Sequence, residues 1–429
     1  MKSIVFNQLK ETIHYEKLEN GLDVYILPKP GFNKTFATFT TKYGSVDNTF
    51  VPLNGQKLQS VPDGIAHFLE HKMFEKQDGD VFQLFSKQGA SANAFTSFTR
   101  TAYLFSSTSN VKQNLETLIH MVQEPYFTEK TVEKEKGIIG QEITMYDDNP
   151  DWRVYFGVIE NMYRNHPVKI DIAGTIESIA DITADLLYLC YNTFYHPSNM
   201  LLFITGPVDP GEVMDFVRED QAKKQFEKAS GITRHFEDEP EAVAKEKQVL
   251  QMDVQTAKCL VGVKAVKPEE TGKSMLKNEI IVNLILDTLF SKSSNHYESL
   301  YKEGLIDETF QYDFTQEEGF GFAIIGGDTR DPDRLAGRLK EMMLRDPSGY
   351  LTEEMLERAK KKRIGGFLRS LNSPEFIANQ FTRYAFNDMN LFDVLPVIEN
   401  LTYQEMQTTA EQFFSEDRIT VCQVVPKGR

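Results

Sequence analysis

Apolar and polar positions change period several times along the chain, and each change marks an element. Leu22-Asp-Val-Tyr-Ile-Leu27 and Phe36-Ala-Thr-Phe-Thr-Thr-Lys-Tyr43 have the β-branched and aromatic density of strands. Asn20-Gly21 joins the first of them to Tyr15–Glu19 as a hairpin turn. Residues 1–20 are otherwise polar and mixed, and predict an arm or a short helix. Residues 44–62 are rich in Asn, Gly, Ser and Pro and predict a loop, after which Asp63 stands where it can cap a helix, with Gly64 just inside it. Val81–Ser86 predicts a short helix, and Ser91–Thr96 and Arg100–Ser106 predict paired strands. Helices are expected over 111–124, from a Thr128 cap to Met145, and over 152–163.

The pattern then repeats. Ile179–Tyr195 is a capped amphipathic stretch leading into an apolar strand at Met200–Ile204. Half a chain later Ile398–Phe414 leads into Ile419–Val425. At one fixed offset Ile179 meets Ile398, Thr183 meets Thr402, Leu187 meets Met406 and Phe194 meets Phe413. Such spacing predicts two copies of one α+β domain. The charged, proline-containing stretch around His235–Lys247 has linker composition. The expected division is therefore 1–235, a linker at 236–247, and 248–429, the second copy opening with strands at Gln248–Val254 and Cys259–Val266.

Composition narrows the function. The formal net charge is -16, which argues against a nucleic-acid partner. The three cysteines, Cys190, Cys259 and Cys422, are widely spaced and predict buried reduced thiols, hence a cytoplasmic protein. The N-terminal residues lack the apolar run of a signal peptide, and no stretch is long and apolar enough to predict a membrane span. Gly319-Phe-Gly321 lies among strand-like residues rather than before a helix, which excludes a phosphate loop. Lys360–Arg363 is simplest as a solvated helix face, and the lone His120 as structural.

The chemistry concentrates in His67-Phe-Leu-Glu-His71. At about 100° per residue on a helix, His67, Glu70 and His71 share one face. Two imidazoles at that spacing can hold one zinc ion, and the carboxylate can take a proton from water beside it. The order His-x-x-Glu-His is the inverzincin order. Zinc needs a third protein ligand, and the best source is the helix carrying Glu135 and Glu142, two turns apart on one face. Ile138, Ile139 and Ile143 predict that the end of this helix with Glu142 is packed in, while Gly137 and Gly140 form an opposite face open to close approach. The same offset sets His67, Glu70 and His71 against Leu286, Leu289 and Phe290, so the second copy is expected to hold no metal.

Gly-x-Ala-His-x-Leu-Glu-His-x-x-Phe, followed some way on by Glu-x6-Glu-Ile, resembles the pitrilysin–insulinase family of zinc peptidases, which includes the mitochondrial processing peptidase, and within it the short-chain bacterial YmfH-like branch. The resemblance implies two homologous domains, each a mainly antiparallel sheet covered by helices, forming half of a clamshell that a homodimeric or heterodimeric partner completes. It implies one zinc ion per chain held by His67, His71 and Glu142, with Glu70 as general base and Glu135 as a supporting glutamate. It implies that Asn93-Ala-Phe-Thr96 is an edge strand to which a peptide substrate adds. The implied activity is zinc-dependent endopeptidase action on peptides or unfolded segments inside a closed chamber, with no nucleic acid and no membrane involved. One departure points elsewhere. The family's second half carries an arginine and a tyrosine thought to hold substrate; here Glu303 and Asp307 occupy that region, and Arg363, Arg369, Arg383 and Tyr384 lie apart from it. The alternative is a non-catalytic or partner-dependent subunit of a processing-peptidase-like assembly.

Overall fold

The computed structural model describes residues 1–77, 79–229, 231–265, 270–345 and 347–428. The first half of the chain forms β1 (Lys2–Phe6), β2 (Glu11–Lys17), β3 (Asp23–Pro28), β4 (Thr35–Thr41), β5 (Thr49–Val51), β6 (Gln59–Ser60), α1 (Ile65–Lys72), β7 (Glu75–Lys76), β8 (Gly79–Asp80), α2 (Phe82–Lys87), β9 (Ala90–Thr96), β10 (Thr101–Ser107), α3 (Val111–Gln123), α4 (Glu129–Asp147), α5 (Pro150–Met162), α6 (Ile176–Ala180), α7 (Ala184–Phe194), β11 (Met200–Gly206), α8 (Pro210–Ala222) and β12 (Thr233–Arg234). The second forms β13 (Lys247–Met252), β14 (Ala257–Lys264), α9 (Gly272–Phe290), α10 (Asn295–Lys302), β15 (Gln311–Glu317), β16 (Phe320–Thr329), α11 (Pro332–Leu344), α12 (Glu353–Ser370), α13 (Pro374–Phe386), α14 (Val394–Asn400), α15 (Tyr403–Phe413) and β17 (Ile419–Pro426). Val266, the expected end of β14, lies outside the described residues.

The chain packs as two compact units that are discontinuous in sequence, Met1–Ile143 with Asp171–Phe236 and Ser370–Phe386, and Thr144–Ile170 with Glu237–Arg369 and Asn387–Arg429. The sheet of the first runs β1-β2-β3-β11-β4-β10-β9, with β11 parallel to β3 and antiparallel to β4. The sheet of the second runs β13-β17-β14-β16-β15, with β17 parallel to β13 and antiparallel to β14. The two orders superimpose strand for strand once β1 and β2 are set aside. In both, a threonine caps the helix before the parallel strand: Thr183 accepts from the Leu186 amide and Thr402 from the Glu405 amide. The apolar run expected as one helix is two in each copy, α6–α7 and α14–α15, because these caps start a new helix.

Each unit takes a helix from the other half of the chain, where the sequence suggested a single crossing at the linker. α5 buries Val154, Phe156, Val158, Ile159 and Met162 and packs on β14 and β17 of the second unit. The approach is close: a Cβ on Gly157 would sit 2.6 Å from Cys422 Sγ, and one on Gly262 2.8 Å from Val158 Cγ2. α13 packs on β4 and β11 of the first unit, with Phe381 against Tyr25 and Phe203. Every residue of β4 is buried, so both of its faces are covered.

The segment expected as a linker is tied into the second unit. The Glu239 carboxylate accepts from the amides of Arg164, Asn165 and His166 at 2.9, 2.7 and 2.8 Å, and from Lys264 Nζ at 2.6 Å. The arm at 1–20 is a strand pair, β1 on β2, extending the sheet edge. The loop at 44–62 holds β5 and β6, which join β12 in a small sheet. Lys360 is buried and donates to the carbonyls of Glu399 and Leu401 at 3.0 Å each, so it closes the end of α14 rather than facing solvent.

Candidate metal centre

α1 begins abruptly. Gly64 adopts φ 86° before the first helical residue, and no side chain caps the helix. A Cβ there would lie 2.3 Å from the Ala173 carbonyl oxygen, so position 64 requires glycine for both conformation and space. Asp63 does not cap, contrary to expectation. Its carboxylate accepts from Asn48 Nδ2 at 3.0 Å, and its carbonyl accepts from Ser178 Oγ at 2.8 Å. α1 is thereby seated by what surrounds its start. It buries Ile65, Ala66, Phe68 and Leu69, which leaves His67 and His71 half-buried on the adjoining face.

α4 supplies the facing carboxylates. Thr128 Oγ1 accepts from the Thr131 amide at 3.2 Å and starts the helix. Val132, Ile139 and Ile143 form its buried row. Glu135 and Glu142 each follow one of these residues by three positions and so lie one turn on, beside the buried row. Ile138 is 47% exposed, and a Cβ on Gly137 or Gly140 would meet nothing within 4 Å. The glycine face is therefore open rather than closely packed, and the exposed isoleucine is not part of the seating.

Across the two helices Glu142 Oε2 lies 3.8 Å from His67 Nε2 and 3.6 Å from His71 Nε2. Ligand atoms of His67, His71 and Glu142 all fall within 4.8 Å of one another. These separations are too long for hydrogen bonds. They match two atoms sharing one ion, since tetrahedral bonds of about 2.1 Å place ligand atoms about 3.4 Å apart. Burial and the neighbouring His71 push the His67 imidazole down to about 4, which keeps its lone pair unprotonated at neutral pH. Burial also opposes charge on His71, yet its bond to Glu135 and the surrounding carboxylates outweigh it, and its pKa is raised. Glu135 Oε1 stands 3.1 Å from His71 Nδ1, which sets that ring's orientation with Nε2 toward Glu142. Burial works against Glu135's charge too, but the same bond holds its pKa low. His67 Nδ1 is buried without a hydrogen-bond partner among the described residues.

Glu70 is buried beside the pair. Desolvation raises its pKa, opposed by a hydrogen bond from Thr96 Oγ1 at 2.6 Å. Thr96 ends β9, the edge strand of the first sheet, whose free side runs through Asn93, Ala94 and Phe95. Asn93 is exposed and its Oδ1 accepts from the Ala94 amide at 2.9 Å; the Arg100 guanidinium stands 5.7 Å from the Phe95 ring centroid. The Thr96–Glu70 bond had no sequence signal. It depends on the register of β9 with β10 and on where α1 lands.

Comparison with known proteins fits this geometry. Residues 59–176 match the model for Insulinase (Peptidase family M16), and residues 181–363 match that for the Peptidase M16 inactive domain. A Bacillus subtilis (strain 168) protein named as the uncharacterized zinc protease YmfH is 65% identical over 428 residues, 100% of each chain. This chain belongs to peptidase family M16. A solved chain from Alicyclobacillus acidocaldarius, described as an M16-like peptidase, is 40% identical with TM-score 0.94, covering 97% of this chain and 99% of that one. A Helicobacter pylori protease shares the fold at 20% identity, TM-score 0.84, covering 96% and 99%. Within the M16 fold, α9 occupies in the second copy the place of α1 in the first, against β15 as α1 lies against β9. Its Leu286, Leu289 and Phe290 are buried core side chains.

The region where the M16 arginine and tyrosine were expected is committed locally. Glu303 pairs with Arg334 at 2.9 Å and Arg338 at 3.1 Å, and Asp307 accepts from the amide and hydroxyl of Thr309. Arg383 and Tyr384 sit on α13, on the first unit, with the guanidinium 5.4 Å from the neighbouring ring centroid. His120 pairs with Asp220 at 3.1 Å, as a structural histidine would. All three cysteines are free and buried. No helix among the described residues is long and apolar enough to cross a membrane.

Proposed function

We propose that the protein is a zinc-dependent endopeptidase in which His67, His71 and Glu142 hold one ion per chain. The convergence of these three ligand atoms within 4.8 Å, on a chain of a peptidase family, carries the reading. Zinc, when bound, supplies polarisation of a peptide carbonyl and a lowered pKa for water. Glu70 accepts the proton of the attacking water and passes it to the leaving amine. Its burial supports this role, because desolvation brings a carboxylate toward the range where it can both take and give a proton. Glu135 is a positioning residue that holds His71. The free edge of β9 takes the substrate as an added strand through backbone hydrogen bonds, which favours peptides and unfolded segments over folded proteins. Enclosure of the substrate would come from a second two-domain chain, the same or related, and the free thiols support a cytoplasmic setting.

A second reading has its own observation. Glu303 and Asp307 are held in local bonds where a substrate-holding arginine and tyrosine were expected, so the chain would be a subunit whose partner supplies that clamp. One sample separates the two: zinc analysis and sedimentation, with digestion of a mixed peptide pool in the presence and absence of chelator. Chelator-sensitive cleavage by the isolated chain supports the endopeptidase. A zinc-loaded chain without cleavage until a partner is added supports the subunit. A chain that takes up no zinc overturns both.

A further inference from the structure

One side chain of β9 reaches the carboxylate carried by α1. Thr96 donates its hydroxyl to Glu70 Oε2 at 2.6 Å. Thr101, opposite Thr96 in register, donates its hydroxyl to the Tyr43 carbonyl at 2.9 Å and lies 3.4 Å from Thr96 Oγ1. The Thr101 proton is thus committed to a carbonyl, and the Thr96 proton points to the carboxylate. Terminal carboxylate rotation is a soft torsion, whereas a β-branched side chain is stiff at χ1. A stiff donor on a paired strand therefore fixes a group that its own bonds leave free to turn.

Resting on the peptidase reading above, we propose that Thr96 is the positioning residue for Glu70, pinning Oε2 and leaving Oε1 as the oxygen that handles the proton.

The test compares Thr96→Val, which keeps shape and β-branching but removes the hydroxyl, with Thr96→Ser, which restores it. The expected result is a kcat 10–100-fold lower for Thr96→Val with KM within about twofold and zinc content unchanged, and recovery of most of the rate in Thr96→Ser. A Thr96→Val kcat within twofold of wild type, or a Thr96→Ser rate no better than Thr96→Val, overturns the proposal. If wild type itself cleaves no peptide, the proposed function fails separately. The crystal structure of zinc-loaded Thr96→Val still decides this point: a Glu70 carboxylate turned from its wild-type position supports it, and an unmoved one overturns it.

Discussion

At the residue scale the site depends on which atoms of a few side chains are already committed. Glu70 gives one oxygen to Thr96, and His71 gives Nδ1 to Glu135. Glu70→Gln keeps size and one acceptor but cannot take a proton, so hydrolysis is expected to fall at least 100-fold with zinc retained, measured by steady-state assay and metal analysis. Retained activity within tenfold of wild type would falsify the general-base role. Glu135→Gln leaves all three ligands in place and removes the charge that orients His71; zinc affinity is expected to fall 10–100-fold, read by competition with a chromophoric chelator. Helical period put His67 and His71 on one face and Glu135 and Glu142 on another, but it took the family resemblance to single out Glu142, whose carboxylate the structure brings within 4.8 Å of both histidines. Thr96 as a partner of Glu70, and Asp63 as a partner of Asn48 rather than a cap, were not legible in the sequence. Both choices are made by side chains that the fold brings in from elsewhere.

At the element scale α1 owes its place to a start without a side-chain cap, at Gly64. Gly64→Ala forces an unfavourable φ and drives a methyl into the Ala173 carbonyl. We expect a loss of stability of about 2–4 kcal/mol, seen in denaturant titration, and a matching loss of zinc as α1 shifts. Elements with a strong period were visible from the sequence. The β9–β10 pair, α3 and α4 fall close to their expected bounds. The Asn20-Gly21 hairpin was visible, and β2 pairs with β3 across it, but β1 and the first half of β2 were not, since they lie toward a sheet edge where only Ile13 is buried and no alternation is imposed. β5 and β6 are too short to show a period. Lys360 read as solvated because composition cannot tell a lysine that faces water from one that reaches two carbonyls at a helix end.

At the scale of the whole molecule the repeat is plain in topology, and α9 carries buried Leu286, Leu289 and Phe290 where α1 carries His67, Glu70 and His71. His67→Ala with His71→Ala is expected to remove all zinc from the chain, leaving none for α9, by metal analysis of the purified variant. Glu239 anchors the second unit through three amides and Lys264, and burial opposes its charge while those partners hold its pKa low. A carboxylate depressed on folding contributes stability above its unfolded pKa and loses it as pH falls through its folded one. Glu239→Gln should therefore cost about 2–3 kcal/mol at pH 7 and progressively less in acid, followed by urea unfolding across that range.

The traded helices set an order on synthesis. Strands β4 and β11 are complete well before α13 leaves the ribosome, and at about 5–20 residues per second their covering helix follows on the order of ten seconds or more behind. Over that interval an apolar sheet face has no native cover, while α5 waits for β14 and β17. Neither half of the chain is a finished folding unit. Two fragments made by opening the chain between 236 and 247 should be poorly soluble when produced apart and should assemble when produced together. The duplication that looks like two domains in the sequence is, for the ribosome and its chaperones, a single commitment that closes only near the C-terminus.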